Sequence, residues 1–109
     1  MTTFDEREHA YEAKFVHDAE LEFLAQAYRN KQIGFWAAAL MGMSAEEAVR
    51  YAKDIIAVDL QTAGHEDVVA KLKQDLGDLR PENRIRERMA EFLAAGREKA
   101  RAGQLKSML

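Results

Sequence analysis

From Asp5 to Met41 the chain holds nothing that must break a helix. No proline falls in this stretch, and its first glycine is Gly34. At about 1.5 Å per residue, an unbroken helix of this length is a rod of roughly 55 Å. The rest of the 109 residues must fold against that rod, yet it is divided into pieces too short to cover it from end to end.

The division is written in helix punctuation. Gly42 suits a left-handed stop for the first helix. Ser44-Ala45-Glu46-Glu47 is a capping box, in which serine and Glu47 satisfy each other's backbone N–H groups. It opens a second helix over Ala45 to Gln61, ending at Gly64. A third begins near Glu66 or Asp67, whose carboxylates favour a helix N-terminus, and ends at Gly77. Pro81, at the first position where a missing N–H is harmless, opens a fourth helix that runs to about Ala102 and stops at Gly103.

Apolar spacing supports each segment. Ala48, Tyr51, Ala52, Ile55, Ile56 and Leu60 recur every three or four residues, as do Val68, Val69, Leu72 and Leu76. In the fourth helix Ile85, Met89, Phe92 and Leu93 share a face, with Arg84, Arg88, Glu91 and Glu98 assigned away from it. The first helix supplies the covering face through Phe23, Leu24, Ala27, Tyr28, Phe35, Trp36, Ala39 and Leu40. Short connections make consecutive helices neighbours. The fold class is all-α: a compact four-helix bundle with a projecting or flexible N-terminal helical segment.

Length then separates two regions. The later helices span only about 18 to 33 Å. Residues 1–18 are therefore expected to overhang, as a helix or a frayed tail, and residues 19–109 to form the bundle. Phe4, Tyr11 and Phe15 fall at spacings of seven and four, a thin aromatic stripe on an otherwise acidic helix. Such a helix cannot fold alone. It can dock in a partner's groove or fold back on its own bundle.

Composition excludes several function classes. Cysteine is absent, which removes disulfides, thiolate zinc sites and cysteine nucleophiles. The longest apolar run, Ile33 to Met43, is about half a membrane span and holds glycines, so no membrane insertion is expected. The acidic start resembles no signal peptide, and a cytoplasmic location is expected. His9 and His17 lie about 12 Å apart along a helix, too far to chelate one ion together. His65 sits in a turn. No metal site is predicted. Neither serine has a nucleophile motif, no carboxylate dyad stands in an apolar stretch, and no phosphate-binding glycine fingerprint occurs, so no catalytic residues are assigned. An enzyme is not expected.

The net charge of −3 conceals a polarity. Residues 1–23 carry −5, residues 24–43 +2, residues 44–79 −4 and residues 80–109 +4. The basic last segment either steers partners or neutralises acidic neighbours within the fold. Arg80, Arg84 and Arg88 follow at single-turn spacing and are candidate contacts for nucleotide phosphates. An isoelectric point near 5.6 argues against nucleic acid. No cofactor is required, with ATP or ADP the one weak candidate.

The N-terminal half also resembles a known family. Thr2-Thr3-Phe4-Asp5-Glu6-Arg7-Glu8, Ala10-Tyr11-Glu12-Ala13-Lys14-Phe15, His17-Asp18-Ala19-Glu20-Leu21 and Arg29-Asn30-Lys31 are similar to the zeta-subunit ATPase inhibitors of alphaproteobacterial F-type ATP synthases. Gly34-Phe35-Trp36-Ala37-Ala38 and Tyr51-Ala52-Lys53 fit as well. The match is dense over residues 2–42 and looser beyond. The resemblance implies a four-helix protein that inhibits ATP hydrolysis by inserting its N-terminal segment into a catalytic interface of the soluble sector, blocking hydrolytic rotation. It implies Phe4, Arg7, Tyr11, Lys14 and Phe15 as docking positions, catalytic-sector subunits as partners, and peripheral association with the inner membrane through them. Glu6 and His9 depart from the aspartate and arginine expected there; Glu6 keeps its charge and His9 does not. The competing functions are an adenine-nucleotide-binding regulator and a general protein-interaction module.

Overall fold

The computed structural model describes residues 3–61 and 64–108, leaving aside the side chains of residues 3–13, Phe15 and Met108. Helix α1 is a single element of 38 residues, Thr3–Leu40. It is followed by α2 (Ala45–Gln61), α3 (Glu66–Leu76) and α4 (Glu82–Arg101), with 3-10 turns at Gly77–Leu79 and Lys106–Met108. Among the described residues there is no strand. The punctuation acts as its chemistry predicts. Gly42, at φ 73°, lets the Met43 N–H reach the Ala38 carbonyl at 3.0 Å and its own N–H reach Ala39 at 3.1 Å, closing α1 with a Schellman motif. Two residues on, the Ser44 N–H donates to Glu47 Oε1 at 3.0 Å, and the Glu47 N–H donates to Ser44 Oγ at 3.2 Å. At the α3–α4 turn, Lys73 Nζ donates to the carbonyls of Gly77 and Arg80.

The rod α1 is the common partner. Helices α2 and α4 both pack along its C-terminal half, and the short α3 bridges them. The main core lies where all four helices meet. Ile33, Ala37 and Ala38 of α1 join Tyr51, Ile55, Val68, Val69, Leu72, Leu76, Ile85 and Met89 there. A smaller cluster, Leu24 with Ala100 and Leu105, joins α1 to the end of α4. The molecule measures 62 × 24 × 22 Å, with a radius of gyration of 17.0 Å. A compact domain of this length has about 13 Å, so the long rod sets the shape.

Two glycines make the close approaches. A Cβ on Gly34 would lie 2.7 Å from Ala52 Cα of α2, and one on Gly96 of α4 would lie 2.8 Å from the Ala25 carbonyl oxygen of α1. Neither glycine breaks its helix; each lets a neighbouring backbone come within contact distance.

The buried face of α1 differs from the predicted one. Phe23 is 52% exposed and Leu60 of α2 is 70% exposed, and Ala39 faces solvent. In their place Ala25, Ile33, Ala37, Ala38, Arg29 and Asn30 are buried. The reason is geometric: α2 and α4 approach α1 from different sides and cover a belt wider than a single stripe. That belt includes a polar seam. Asn30 Nδ2 donates to Asp59 Oδ2 at 2.8 Å, and Arg29 Nε donates to Asn30 Oδ1 at 3.1 Å. Arg29 Nη2 stands 3.7 Å from Asp59 Oδ1. Burial lowers the Arg29 guanidinium from its ordinary value, and the Asp59 carboxylate opposes that shift. A second polar contact joins α2 to α3, where the Tyr51 hydroxyl donates to Asp75 Oδ2 at 2.7 Å beside Lys71. Burial, then the bonded carboxylate, pushes the Tyr51 phenol well above its ordinary value.

Three outcomes follow for stability in urea unfolding. Gly34→Ala lowers the unfolding midpoint: overpacking costs about 1–3 kcal/mol, which outweighs the helix preference of alanine, while circular dichroism stays helical. Asp59→Ala strands a buried guanidinium and costs about 3 kcal/mol, whereas Arg29→Met leaves only the Asp59 carboxylate, more exposed than the guanidinium and still bonded to Asn30, and costs distinctly less. Tyr51→Phe costs about 1–3 kcal/mol at neutral pH. The unfolded phenol ionises near pH 10 while the folded one keeps its proton, so Tyr51 stabilises fully below that pH and progressively less above it. The gap between wild type and Tyr51→Phe therefore narrows above pH 10.

Candidate functional site

The candidate site is the N-terminal reach of α1 and the shoulder from which it leaves the bundle. Helix α4 covers α1 only as far as Leu21 and Glu22. There Leu21 packs on the Leu24, Ala100 and Leu105 cluster. Beside it Arg97 Nε and Nη2 grip the Glu22 carboxylate at 3.0 and 2.8 Å, a two-point contact between residues 75 apart in sequence. The Arg97 hydrogen bonds hold the Glu22 carboxyl below its ordinary range. Beyond this pair Lys14, Val16, His17, Asp18, Ala19 and Glu20 are all exposed, Val16 at 56%. At about 1.5 Å per residue, helix α1 continues roughly 20 Å past Val16 to Thr3.

Of the five sequence-predicted docking residues, Lys14 is exposed on α1. The side chains of Phe4, Arg7, Tyr11 and Phe15 lie outside the described residues. Their register on the helix is nonetheless informative. Phe4, Tyr11 and Phe15 stand 18 positions before Glu22, Arg29 and Ile33. Eighteen residues are about five turns of an α-helix, so the two sets occupy equivalent positions around the rod. In the bundle, Glu22 takes Arg97, while Arg29 and Ile33 are buried.

The candidate phosphate contacts are held by their own neighbours. Arg84 Nη1 lies 3.2 Å from Glu87 and 3.3 Å from Glu91, and Arg88 Nη1 donates to the other Glu91 oxygen at 2.6 Å. These bonds, Arg88's foremost, keep the Glu91 carboxyl below its ordinary range. Arg80 Nη1 donates to the adjacent Leu79 carbonyl at 2.6 Å and does not join the other two on one acceptor. Arg88 also corrects the face assigned to it. It lies inward rather than outward, its guanidinium 4.2 Å from the Phe92 ring centre and 6.0 Å from that of Trp36, with Nε buried and unbonded. A flat, weakly hydrated guanidinium stacks on rings at little desolvation cost, which periodicity alone does not register. Trp36 is half-buried packing against the core, as expected.

The basic segment does neutralise acidic neighbours. Arg86 makes a bidentate contact to Glu66 of α3 at 2.8 and 2.7 Å and reaches Glu82 at 3.2 Å, and Arg97 takes Glu22 of α1. His17 is exposed and His65 Nε2 stands 3.4 Å from Glu66. His9 lies outside the described side chains. Among the described residues no group of three acidic or histidine side chains is arranged to hold a metal ion, and no helix is long and apolar enough to cross a membrane. Sequence reasoning missed the Arg29–Asn30–Asp59 seam. Its one signal was an asparagine, a poor helix former, in the middle of a long helix between Ala27 and Ile33.

Comparison with curated proteins finds no match. A protein whose structure was solved by solution NMR is 36% identical and superposes with a TM-score of 0.68, over 76% of this chain and 98% of its own. The family model of ATPase inhibitor subunit zeta matches residues 1–99, from the projecting end of α1 to the last turn of α4. With the family model matching nearly the whole sequence, the chain belongs to the ATPase inhibitor subunit zeta family.

Proposed function

We propose that residues 1–18 enter a catalytic interface of the soluble sector of an F-type ATP synthase and block rotation in the hydrolysis direction, with residues 19–109 as the body that carries them. The observation behind this reading is the disproportion of α1. It is a helix of 38 residues, yet its described side chains from Lys14 to Glu20 are exposed where α4 has ended. Phe4, Arg7, Tyr11, Lys14 and Phe15 are the docking positions, and their register continues the side of α1 that the bundle buries. A partner groove on the projecting part then plays the role that the bundle plays lower down.

The thermodynamics are those of selective binding. Hydrolysis needs catalytic interfaces to open and close in turn. A helix that binds the closed interface and not the open one lowers the closed state's free energy, and each such cycle must then overcome that difference. Aromatic burial and charged contacts offset the cost of ordering and desolvating the segment. The protein is a non-catalytic regulator held on the inner side of the membrane through its partner. A nucleotide-phosphate role for Arg80, Arg84 and Arg88 is less favourable, because an entering phosphate would have to displace Glu91 from two guanidiniums at once.

Removing residues 1–17 is expected to abolish inhibition of the soluble ATPase while circular dichroism and thermal unfolding still report the bundle. Full inhibition by the shortened chain would overturn the reading.

A further inference from the structure

Helix α4 holds the shoulder of α1 by two kinds of contact. On one side Leu21 rests on the apolar cluster of Leu24, Ala100 and Leu105. About 100° around the helix from it, Glu22 takes the fork of Arg97. The Glu22 carboxylate also accepts from Gln26 Nε2, one turn along α1, at 3.3 Å. An apolar contact is non-directional and lets a helix roll. A planar guanidinium on a planar carboxylate resists rolling.

This pair differs from the other ion pairs of α4. Arg84 and Arg88 take glutamates of their own helix, and Arg86 takes Glu82 of α4 and Glu66 of α3. Among the described residues, Arg97–Glu22 is the one ion pair that joins α4 to α1. Its side chains are 49% and 40% exposed, so it adds little to stability. Its leverage lies elsewhere. Phe4 stands 18 residues before Glu22. Five turns of helix, about 27 Å, bring it back to the same azimuth, with Tyr11 and Phe15 within about 20° of that line. A roll of α1 at Glu22 therefore turns the aromatic stripe by the same angle, and a tilt of about 10° there moves Phe4 by about 5 Å.

We propose that Glu22 and Arg97 are positioning residues for inhibition: their fork sets the roll and direction with which α1 leaves the bundle, and so which side of residues 4–15 a partner meets. The inference rests on the N-terminal reading above and deepens it. A segment held in one orientation loses less freedom on docking than one that rolls and tilts about Leu21. Neither side chain touches the ATPase in this role.

The test compares the full-length chain with Arg97→Ala, Arg97→Lys, Arg97→Glu, Glu22→Arg and the exchange Glu22→Arg/Arg97→Glu as inhibitors of the purified soluble ATPase. Arg97→Ala is expected to need about fivefold more protein for half inhibition, either single charge reversal about tenfold more, and the exchange no more than about twofold, because the pair re-forms the other way round. Arg97→Lys keeps the charge without the fork and falls between wild type and Arg97→Ala. The assay runs well below the thermal midpoint of every variant, where a purely stabilising role leaves inhibition unchanged. The chain has no cysteine, so spin labels on a Lys14→Cys/Asp78→Cys background report the exit of α1. The distance distribution between them is narrow with Arg97, broadens in Arg97→Ala and narrows again in the exchange. Inhibition by Arg97→Ala equal to that of wild type overturns the proposal and leaves the N-terminal reading standing, and it does so even if the charge-reversed proteins fail to fold. An exchange that inhibits no better than the single reversals also overturns it, because that is the result of direct contact with the ATPase. Absence of inhibition by wild type removes both readings.

Discussion

Helix α1 meets both of its long neighbours at contacts between backbones, and the rest of the structure depends on those two crossings. Ala52 of α2 sits over Gly34, and the Ala25 carbonyl of α1 sits against Gly96 of α4. At each crossing one helix supplies a small side chain and the other none. Only this lets α2 and α4 lie close enough to α1 for Ile33, Ile55, Ile85 and Leu72 to be fully buried in so small a core. The polar seam depends on the same closeness. Asn30 and Asp59 meet at 2.8 Å because the helices carrying them are drawn together a turn away at Gly34.

Electrostatics bind the outer elements to the rod in a different manner. Arg86 fastens the start of α3, and Arg97 fastens α1 itself, both by forked contacts to a single carboxylate. These pairs are half-exposed, so each adds little stability. They do fix azimuth: a fork on a carboxylate tolerates little rotation of either helix about its axis. The acidic first third and basic last third of the chain are thus partly one internal arrangement.

Helix boundaries were legible in the sequence because they rest on local chemistry. The capping box at Ser44, the left-handed glycines and Pro81 act through bonds to residues three or four positions away, and they stand where expected. The excess length of α1 was legible for the same reason, being a matter of counting. Faces were less legible. Phe23 and Leu60 match the apolar period and still face solvent, and Arg88 breaks it and still turns inward over Phe92. Periodicity describes one helix against one partner, whereas α1 has two. Arg29, Asn30 and Asp59 were hidden for a related reason. Each is unremarkable alone, and only the crossing that brings residues 29 positions apart together gives them a shared role. The docking residues were named from resemblance, and the fold contributes their common register with the bundled part of the rod.

The glycine crossings have a mechanical consequence. For α1 to slide along its own axis, Ala52 would have to climb out of the gap at Gly34 onto the bulk of its neighbours, while the Ala25 backbone climbed off Gly96. The two gaps sit on different flanks of the rod and on different helices, so a tilt that relieves one presses the other. The bundle therefore grips its longest helix as a detent grips a shaft. Thrust along α1 is carried into α2 and α4 together, by contact between main chains, where no side chain can yield by changing rotamer.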